Sequence, residues 1–451
     1  MSSDSLFAVS PVDGRYRKQT EDFRMYFSEF ALIKYRFYVE VEYFIALTNI
    51  LPQLASFKDH VLLRELRRKV DMFNEADAER IKAIEKIINH DVKAVELFMR
   101  ELMSDYPEKE FIHFALTSFD TDGMARPLML KHAHEKIALP SLLTVILWLQ
   151  KHVLQWWDIP VLAHTHGQPA SPTFLGKEIK VFVERLEAQI VLLQQIPWSG
   201  KFGGANGNLN AHYVAYPHIN WHAFADQFVS DLGLVRTKTT TQIESYDNLA
   251  AYCHAWMRIN TILIDFTRDM WAYIHKDYIK QKPNPKETGS STMPHKINPI
   301  DFENGEGNLG LANAILDHLA AKLPISRLQR DLSDSTVIRN MGVPLAHILI
   351  ANNSILKGMN KIEVNIIKID EDLNNNWAVI SEAYQTILRR EMYPNAYDIL
   401  KDLTRTGEKI TKRTLHAFVN SLNVNKAVKK ELKAITPWNY VGVVIWVFYI
   451  H

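Results

Sequence analysis

Apolar residues recur every three or four positions over most of the chain. Phe23, Phe27, Phe30, Ile33, Phe37, Val41 and Phe44 share one helical face, so the pattern predicts one long helix over Glu21 to Thr48. Leu62 to Phe73 and Ile81 to Leu102 repeat the spacing, and Pro107 breaks it. Leu175 to Ile196 predicts a helix of about six turns. Tyr252, Trp256, Ile259, Leu263, Phe266, Met270 and Tyr273 alternate spacings of four and three, which is a heptad seam. Leu309 to Leu323 and Leu345 to Ile362 add two more helical patterns. Strand alternation is scarce, with short extended pieces expected near Lys201 to Leu209 and Leu234 to Gln242. The expectation is an all-α protein of three helical domains: an N-terminal domain over 1–110, a central long-helix bundle over 111–363 and a C-terminal domain over 364–451. Helices this long leave seams that one chain does not cover, which predicts an oligomer built around that bundle.

Glycine and proline punctuate the pattern in clusters. The longest interruption is Thr288-Gly289-Ser290-Ser291-Thr292-Met293-Pro294-His295-Lys296-Ile297-Asn298-Pro299, preceded by Lys282-Pro283-Asn284-Pro285. Proline forbids a continuous helix there, and a long polar loop between strong helices is a place for function. Composition adds exclusions. Hydrophobic residues make up 47% and charged residues 23%, with a net charge of +1, so bulk electrostatics gives no reason to invoke nucleic acid or a membrane surface. An anionic ligand must be held by a local cluster. The single cysteine, Cys253, lies in an apolar helical run and reads as core, in a reducing compartment. The start of the chain lacks the pattern of a secretory signal, and the longest apolar run, Val441 to Ile450, is short of a bilayer span. A cytoplasmic enzyme is expected.

Four polar clusters could do chemistry. In Asn89-His90-Asp91, Asn89 suits a cap of the following helix and Asp91 its first turn, which leaves His90 unexplained. His164-Thr165-His166-Gly167-Gln168-Pro169 places two histidines before a long helix. A metal needs three or four ligands at suitable spacing, and neither H-E-x-x-H nor a cysteine pair occurs, so no metal is expected. An imidazole proton donor fits better. The serine loop lacks the second glycine and the strand of a nucleophile elbow, so hydrolase chemistry is a weak reading. A serine acting as base needs fixed donors and positive charge for its oxyanion; Lys296 and the amides after Gly289 are candidates. Arg327, Arg330, Asp331, Ser333, Asp334, Ser335, Thr336 and Arg339 mix guanidinium and hydroxyl groups, as a carboxylate or phosphate requires, or form a salt-bridged helix start. Arg15-Tyr16 follows the turn Pro11-Val12-Asp13-Gly14.

Together these stretches resemble the fumarase/aspartase lyase superfamily and, within it, the adenylosuccinate lyase family of bacterial type. Gly289 to Pro299 is similar to the superfamily signature G-S-S-x-M-P-x-K-x-N-P. Ser10 to Tyr16, Asn89 to Glu96 and Thr165 to Ala170 resemble motifs of that family, and the likeness runs from about Ser10 to about Tyr440. The resemblance implies a homotetramer with a twenty-helix core and active sites shared between subunits. It implies anti β-elimination of fumarate from adenylosuccinate, giving AMP, and from the succinyl-carboxamide ribotide, giving the carboxamide ribotide. No cofactor and no metal are implied, and the partners are small nucleotides.

By the same match Ser290 is the base, His166 the acid that protonates the departing nitrogen, and Glu303 the carboxylate that orients this histidine. Lys296 and Asn298 stabilise the carbanion, and His90 is a second histidine beside the substrate. Arg15, Tyr16, Asn89, Asp91, Thr117, Ser118, Gln242, Ser291, Asn304, Arg330, Ser335 and Arg339 match substrate contacts. The rivals are a phosphate-free relative such as argininosuccinate lyase, against which the arginines argue, and a catalytically silent structural tetramer, against which the surviving Ser290, His166, Lys296 and His90 argue. The apolar tail Val441 to His451 departs from the family's usual charged end; it reads as a buried final element or a sticky patch.

Overall fold

The computed structural model describes residues 3–283, 292–405 and 407–444. It is all-α, with long helices at Asp247–His275 and Ile300–Lys322 and three two-stranded sheets among the described residues. The chain folds into two compact units, each made of three separate stretches of sequence.

The first unit comprises Met1–Leu143, Ala188–Ile264 and Gly305–Asn353. Its centre is the Glu29–Thr48 helix, which is apolar on nearly every side: Ala31, Leu32, Ile33, Phe37, Val39, Val41, Tyr43, Phe44 and Leu47 are all buried. A helix hydrophobic all round must be enclosed. The helices Val61–Asp71, Glu75–Ile88, Asp91–Leu102 and Ser118–Ala133 enclose it. The expected single helix from Glu21 breaks at Ser28, whose extended backbone and Oγ, accepting from Ala31 N at 3.1 Å, start a new helix. Phe27 then fits over Gly342, where an added Cβ would lie 2.5 Å from the ring. The pattern from Ile81 to Leu102 is likewise cut, at Asn89.

The second unit comprises Thr144–Glu187, Asp265–Asn304 and Ser354–His451. Pro160–Thr165 pairs antiparallel with Gln168–Phe174, and Ile279–Gln281 with Ile362–Val364. The hairpin went unread in the sequence, because Pro160, Pro169 and Pro172 argue against strands. Of the extended pieces expected, Val235–Arg236 pairs with Ser199–Gly200, in the first unit, while Lys201 to Leu209 turns back on itself instead. Beyond Lys368, the residues Trp377, Ile380, Tyr384, Leu388, Leu400, Leu415, Val419 and Leu432 form a separate hydrophobic core. Residue 406 and residues 445–451, most of the apolar tail, lie outside the described residues; Val443 is exposed.

The heptad seam is a correction. Tyr252, Trp256, Ile259, Leu263, Phe266 and Met270 are buried within this chain. Phe266 packs on Phe182 and Phe302, and His134 on Tyr252 and Trp256. Uncovered apolar residues on the long helices include Leu143, Leu147 and Leu154 on Leu139–Gln155, Val181, Val191 and Leu192 on Leu175–Gln194, Trp271 on Asp247–His275, and Ile300 and Leu311 on Ile300–Lys322.

Candidate active site

In the first unit the Asn89-His90-Asp91 turn joins two helices. Asn89 takes a left-handed conformation (φ 53°) and closes the Glu75–Ile88 helix, so it caps the preceding helix and not the following one. His90 takes the N-cap role: its Nδ1 accepts from Lys93 N at 3.2 Å. The ring's other nitrogen, Nε2, is free of this cap, and the side chain is half exposed. Asp91 is anchored by Arg36 at 2.7 Å and lies 3.7 Å from Arg339. Arg36 is almost fully buried and also forks onto Asp122 at 2.6 and 3.1 Å. Burial works against the Arg36 charge, but Asp122 and Asp91 outweigh it and hold the guanidinium protonated. Burial likewise works against Asp122, yet Arg36 and then Arg126 hold its carboxyl down to about 2.

The arginine-rich segment divides. Asp331 is a local cap, accepting from Ser333 N at 2.7 Å and Arg327 N at 3.1 Å, which is the salt-bridged helix start. Arg330 and Arg339 turn elsewhere. Arg330 lies 5.1 Å over the Phe119 ring and donates to Gln242 Oε1 at 3.3 Å. Arg339 donates to Glu29 at 3.0 Å and lines a cavity of about 260 Å³ with Phe119, Arg126 and Tyr246. Ser335 sits in the short Ser333–Ile338 helix, its Oγ on Leu332 O at 3.3 Å. Thr117 and Ser118 open the Ser118–Ala133 helix, where Thr117 N donates to Asp120 at 2.9 Å. Arg15 lies over the Tyr16 ring at 5.9 Å, in the N-terminal turn.

In the second unit His166 and Gly167 form the hairpin tip, between Thr165 and Gln168, with φ of 53° and 73°. Positive φ at both central residues matches the right-handed twist of the strands. The turn projects the His166 ring into solvent while His164 packs toward Tyr278, 6.1 Å away. Burial holds His164 below the usual imidazole range, and the nearby Lys276 adds to this. Lys296 is exposed in the approach to the Ile300–Lys322 helix, and Asn298 is half-buried there. Glu303, in the helix's first turn, accepts from Trp271 Nε1 at 3.2 Å, and Asn304 follows it. Asp301 fixes this helix start through Lys357 at 3.1 Å and Lys361 at 2.9 Å. Ser290 and Ser291 lie outside the described residues. Cys253 is buried, its thiol pushed up to about 12 by that burial.

The structure therefore brings Asp91 to Arg339 and Gln242 to Arg330 within one unit. His166, Lys296, Asn298, Glu303 and Asn304 belong to the other. Sequence reasoning missed Arg36, Asp120, Asp122 and Lys201. Only Arg36 carried a signal, a charge set inside an apolar helical stripe between Tyr35 and Phe37; Asp120, Asp122 and Lys201 stand among polar residues and glycines.

The fold is that of the fumarate lyases. The fumarate lyase from Mesorhizobium sp. BNC1 superposes with a TM-score of 0.74 at 16% identity, covering 94% of this chain and 95% of that one. The 3-carboxy-cis,cis-muconate lactonizing enzyme of Pseudomonas putida gives 0.71 at 18%, with 94% of each chain covered. A lyase family model matches residues 14–314, and an adenylosuccinate lyase C-terminal model matches residues 326–441. Adenylosuccinate lyase from Dictyostelium discoideum is 52% identical over 98% of this chain and 97% of its own length. The Escherichia coli K12 enzyme of that name is 47% identical over 98% of each. The chain belongs to the adenylosuccinate lyase family.

Proposed function

We propose that this chain removes fumarate from adenylosuccinate and from the succinyl-carboxamide ribotide by anti β-elimination, in a homotetramer with shared sites. The observation that carries the reading is the near-full-length identity to adenylosuccinate lyases. The grouping of Arg330, Gln242, Arg339, Asp91 and His90 in one unit supports it. In this reading Arg15, Tyr16, Asn89, Thr117, Ser118, Ser291, Asn304 and Ser335 complete the contacts to phosphate, ribose and base. The Ser290 alkoxide takes the proton from the succinyl carbon beside a carboxylate. Its electron pair forms the fumarate double bond as the carbon–nitrogen bond breaks, and His166 protonates the departing nitrogen. Lys296 and Asn298 hold the charge that spreads onto the carboxylate before the bond breaks, where preorganised donors have most effect. Within the chain Glu303 bonds Trp271, so its pairing with His166 is proposed to form in the assembly.

The exposed leucines Leu143, Leu147 and Leu154, spaced by four and seven, support helix packing between subunits. Among the described residues one continuous helical stretch, Ser118–Gln155, which joins the Ser118–Ala133 and Leu139–Gln155 helices through a π-helical turn, is long and apolar enough to cross a membrane by length and composition; packing on other subunits is the reading adopted for its uncovered face. Gly307 and Gly310 have open space where a Cβ would stand, which suits close helix approach. The three-domain division over 1–110, 111–363 and 364–451 and a cytoplasmic setting are part of the proposal.

Exchange of the abstractable succinyl proton with solvent deuterium tests the division of labour. Where abstraction is reversible, His166→Ala keeps exchange while product formation falls by about 10²–10⁴-fold, the usual contribution of a general acid. Ser290→Ala loses both. Retained exchange in Ser290→Ala would remove serine from the role of base.

A further inference from the structure

We infer that the buried Asp120–Lys201 ion pair is a positioning device for the nucleotide-binding residues of the first unit, an inference that rests on the function proposed above. Both side chains are fully buried, 2.7 Å apart. Burying two charges costs more than their attraction commonly returns, so the pair calls for a reason beyond stability.

The reason lies in what the carboxylate grips. Asp120 Oδ1 accepts from Lys201 Nζ, from Gly203 N at 2.8 Å and from Gly204 N at 3.1 Å. Its Oδ2 accepts from Thr117 N at 2.9 Å, fixing the start of the helix that carries Ser118. Lys201 Nζ also donates to Gly204 O at 2.5 Å, so the ammonium and the carboxylate hold the same glycine from both sides.

The Gly203–Leu209 loop carries this position onward. Leu209 N closes the loop on Gly203 O at 2.8 Å. Ala205 O accepts from Gln242 Nε2 at 2.9 Å. Gly207, at φ 89°, presses so closely on the Thr240 carbonyl that a Cβ would sit 2.1 Å from its oxygen. Gln242 Oε1 then accepts from Arg330, whose guanidinium lies over Phe119, the residue next to Asp120. The contacts form a closed ring: Asp120, Gly204, Ala205, Gln242, Arg330, Phe119. Gln242 and Arg330 are in it, and Thr117 and Ser118 hang from it. Removing the pair releases the ring where it holds Gly203 and Gly204.

The test is Lys201→Met, which keeps bulk and removes charge, with Gly207→Ala acting on the loop that carries Ala205 into the ring, where it presses on Thr240. KM for adenylosuccinate and affinity for AMP by calorimetry are read beside kcat. Both variants are expected to raise KM and weaken AMP binding by about tenfold, the size of one lost charge-assisted contact, with kcat changed by less than about threefold. Leu432→Ala, in the C-terminal core, lowers Tm and leaves KM unchanged. Lowered Tm with unchanged KM in both ring variants makes the pair merely structural and overturns the inference. So does failure of both to fold. A wild-type chain that turns over no adenylosuccinate overturns the functional reading itself, a separate result.

Discussion

Arg36→Met is the perturbation whose size the structure sets most directly. The guanidinium is 1% exposed and makes contacts of 2.6 and 3.1 Å to Asp122 and 2.7 Å to Asp91. Removing one partner of a buried pair costs ~3–5 kcal/mol, because the remaining charge stays buried. Two features pull the expected value to the lower end. Asp122 keeps Arg126 at 3.4 Å, and Asp91 is 31% exposed with Arg339 at 3.7 Å. The expected loss is therefore about 3 kcal/mol in urea unfolding, at matched protein concentration. Arg36→Lys restores charge without the fork and recovers part of it.

The sharper variant is Arg36→Met with Asp122→Leu. Replacing a buried pair by apolar side chains is often neutral, so the double variant should be more stable than the single one. A single variant within ~1 kcal/mol of wild type, or a double variant less stable than the single, refutes the claim that these charges depend on each other. The pH dependence has a definite sign. Asp122 is held down to about 2 against an ordinary 3.8, so its contribution is complete above 3.8 and is lost as pH falls toward 2. In Arg36→Met the folded carboxyl loses its main partner and moves back up toward 3.8, so the acid loss assigned to Asp122 becomes smaller.

Sedimentation should show a tetramer, and Leu147→Lys, placing a charge on the uncovered leucine face, should shift it to smaller species; an unchanged tetramer moves the interface elsewhere. Mixed His90→Ala and Ser290→Ala chains should regain activity if sites are shared, and mixed tetramers without recovery count against sharing. Burial holds His134 down to about 4 against 6.5, so its contribution is complete above 6.5 and fades as pH falls toward 4; His134→Leu should flatten that part of the acid limb of the stability curve.

Much of the helical skeleton was legible because its signal is local. Spacings of three and four found most of the Asp247–His275 helix and, from Leu309 on, the later part of Ile300–Lys322, but not the start that carries Glu303. The breaks were less legible, since Ser28 and Asn89 sit inside runs whose apolar period continues across them. The hairpin was hidden by three prolines, and its turn by a histidine where asparagine is the usual sign. The seam from Tyr252 to Met270 was found, but a periodicity carries no information about what covers it. The covering residues Phe182, Phe302 and His134 come from distant stretches.

The same distinction governs the site. Motifs identify groups that meet the substrate, because chemistry demands particular residue types at short spacing. The groups that hold them in place are drawn from anywhere the fold permits. Asp120 meets Lys201, and Arg36 meets both Asp91 and Asp122, through no sequence rule. A buried charge surrounded by apolar neighbours is nonetheless costly wherever it stands, so a charge inside an apolar run always calls for a partner. Arg36 and Glu40 break an apolar run in this way, whereas Asp120 and Lys201 are buried without such a run around them. In this chain such charges tie together turns that carry expected substrate contacts: Asp91 through Arg36, and Thr117, Ser118, Gln242 and Arg330 through Asp120. Glu40 follows the same logic, since it accepts from His113 and Thr121, each at 2.7 Å, on either side of Thr117 and Ser118. On the proposed function, the energetic cost of these buried charges falls where position, more than stability, is what the reaction requires.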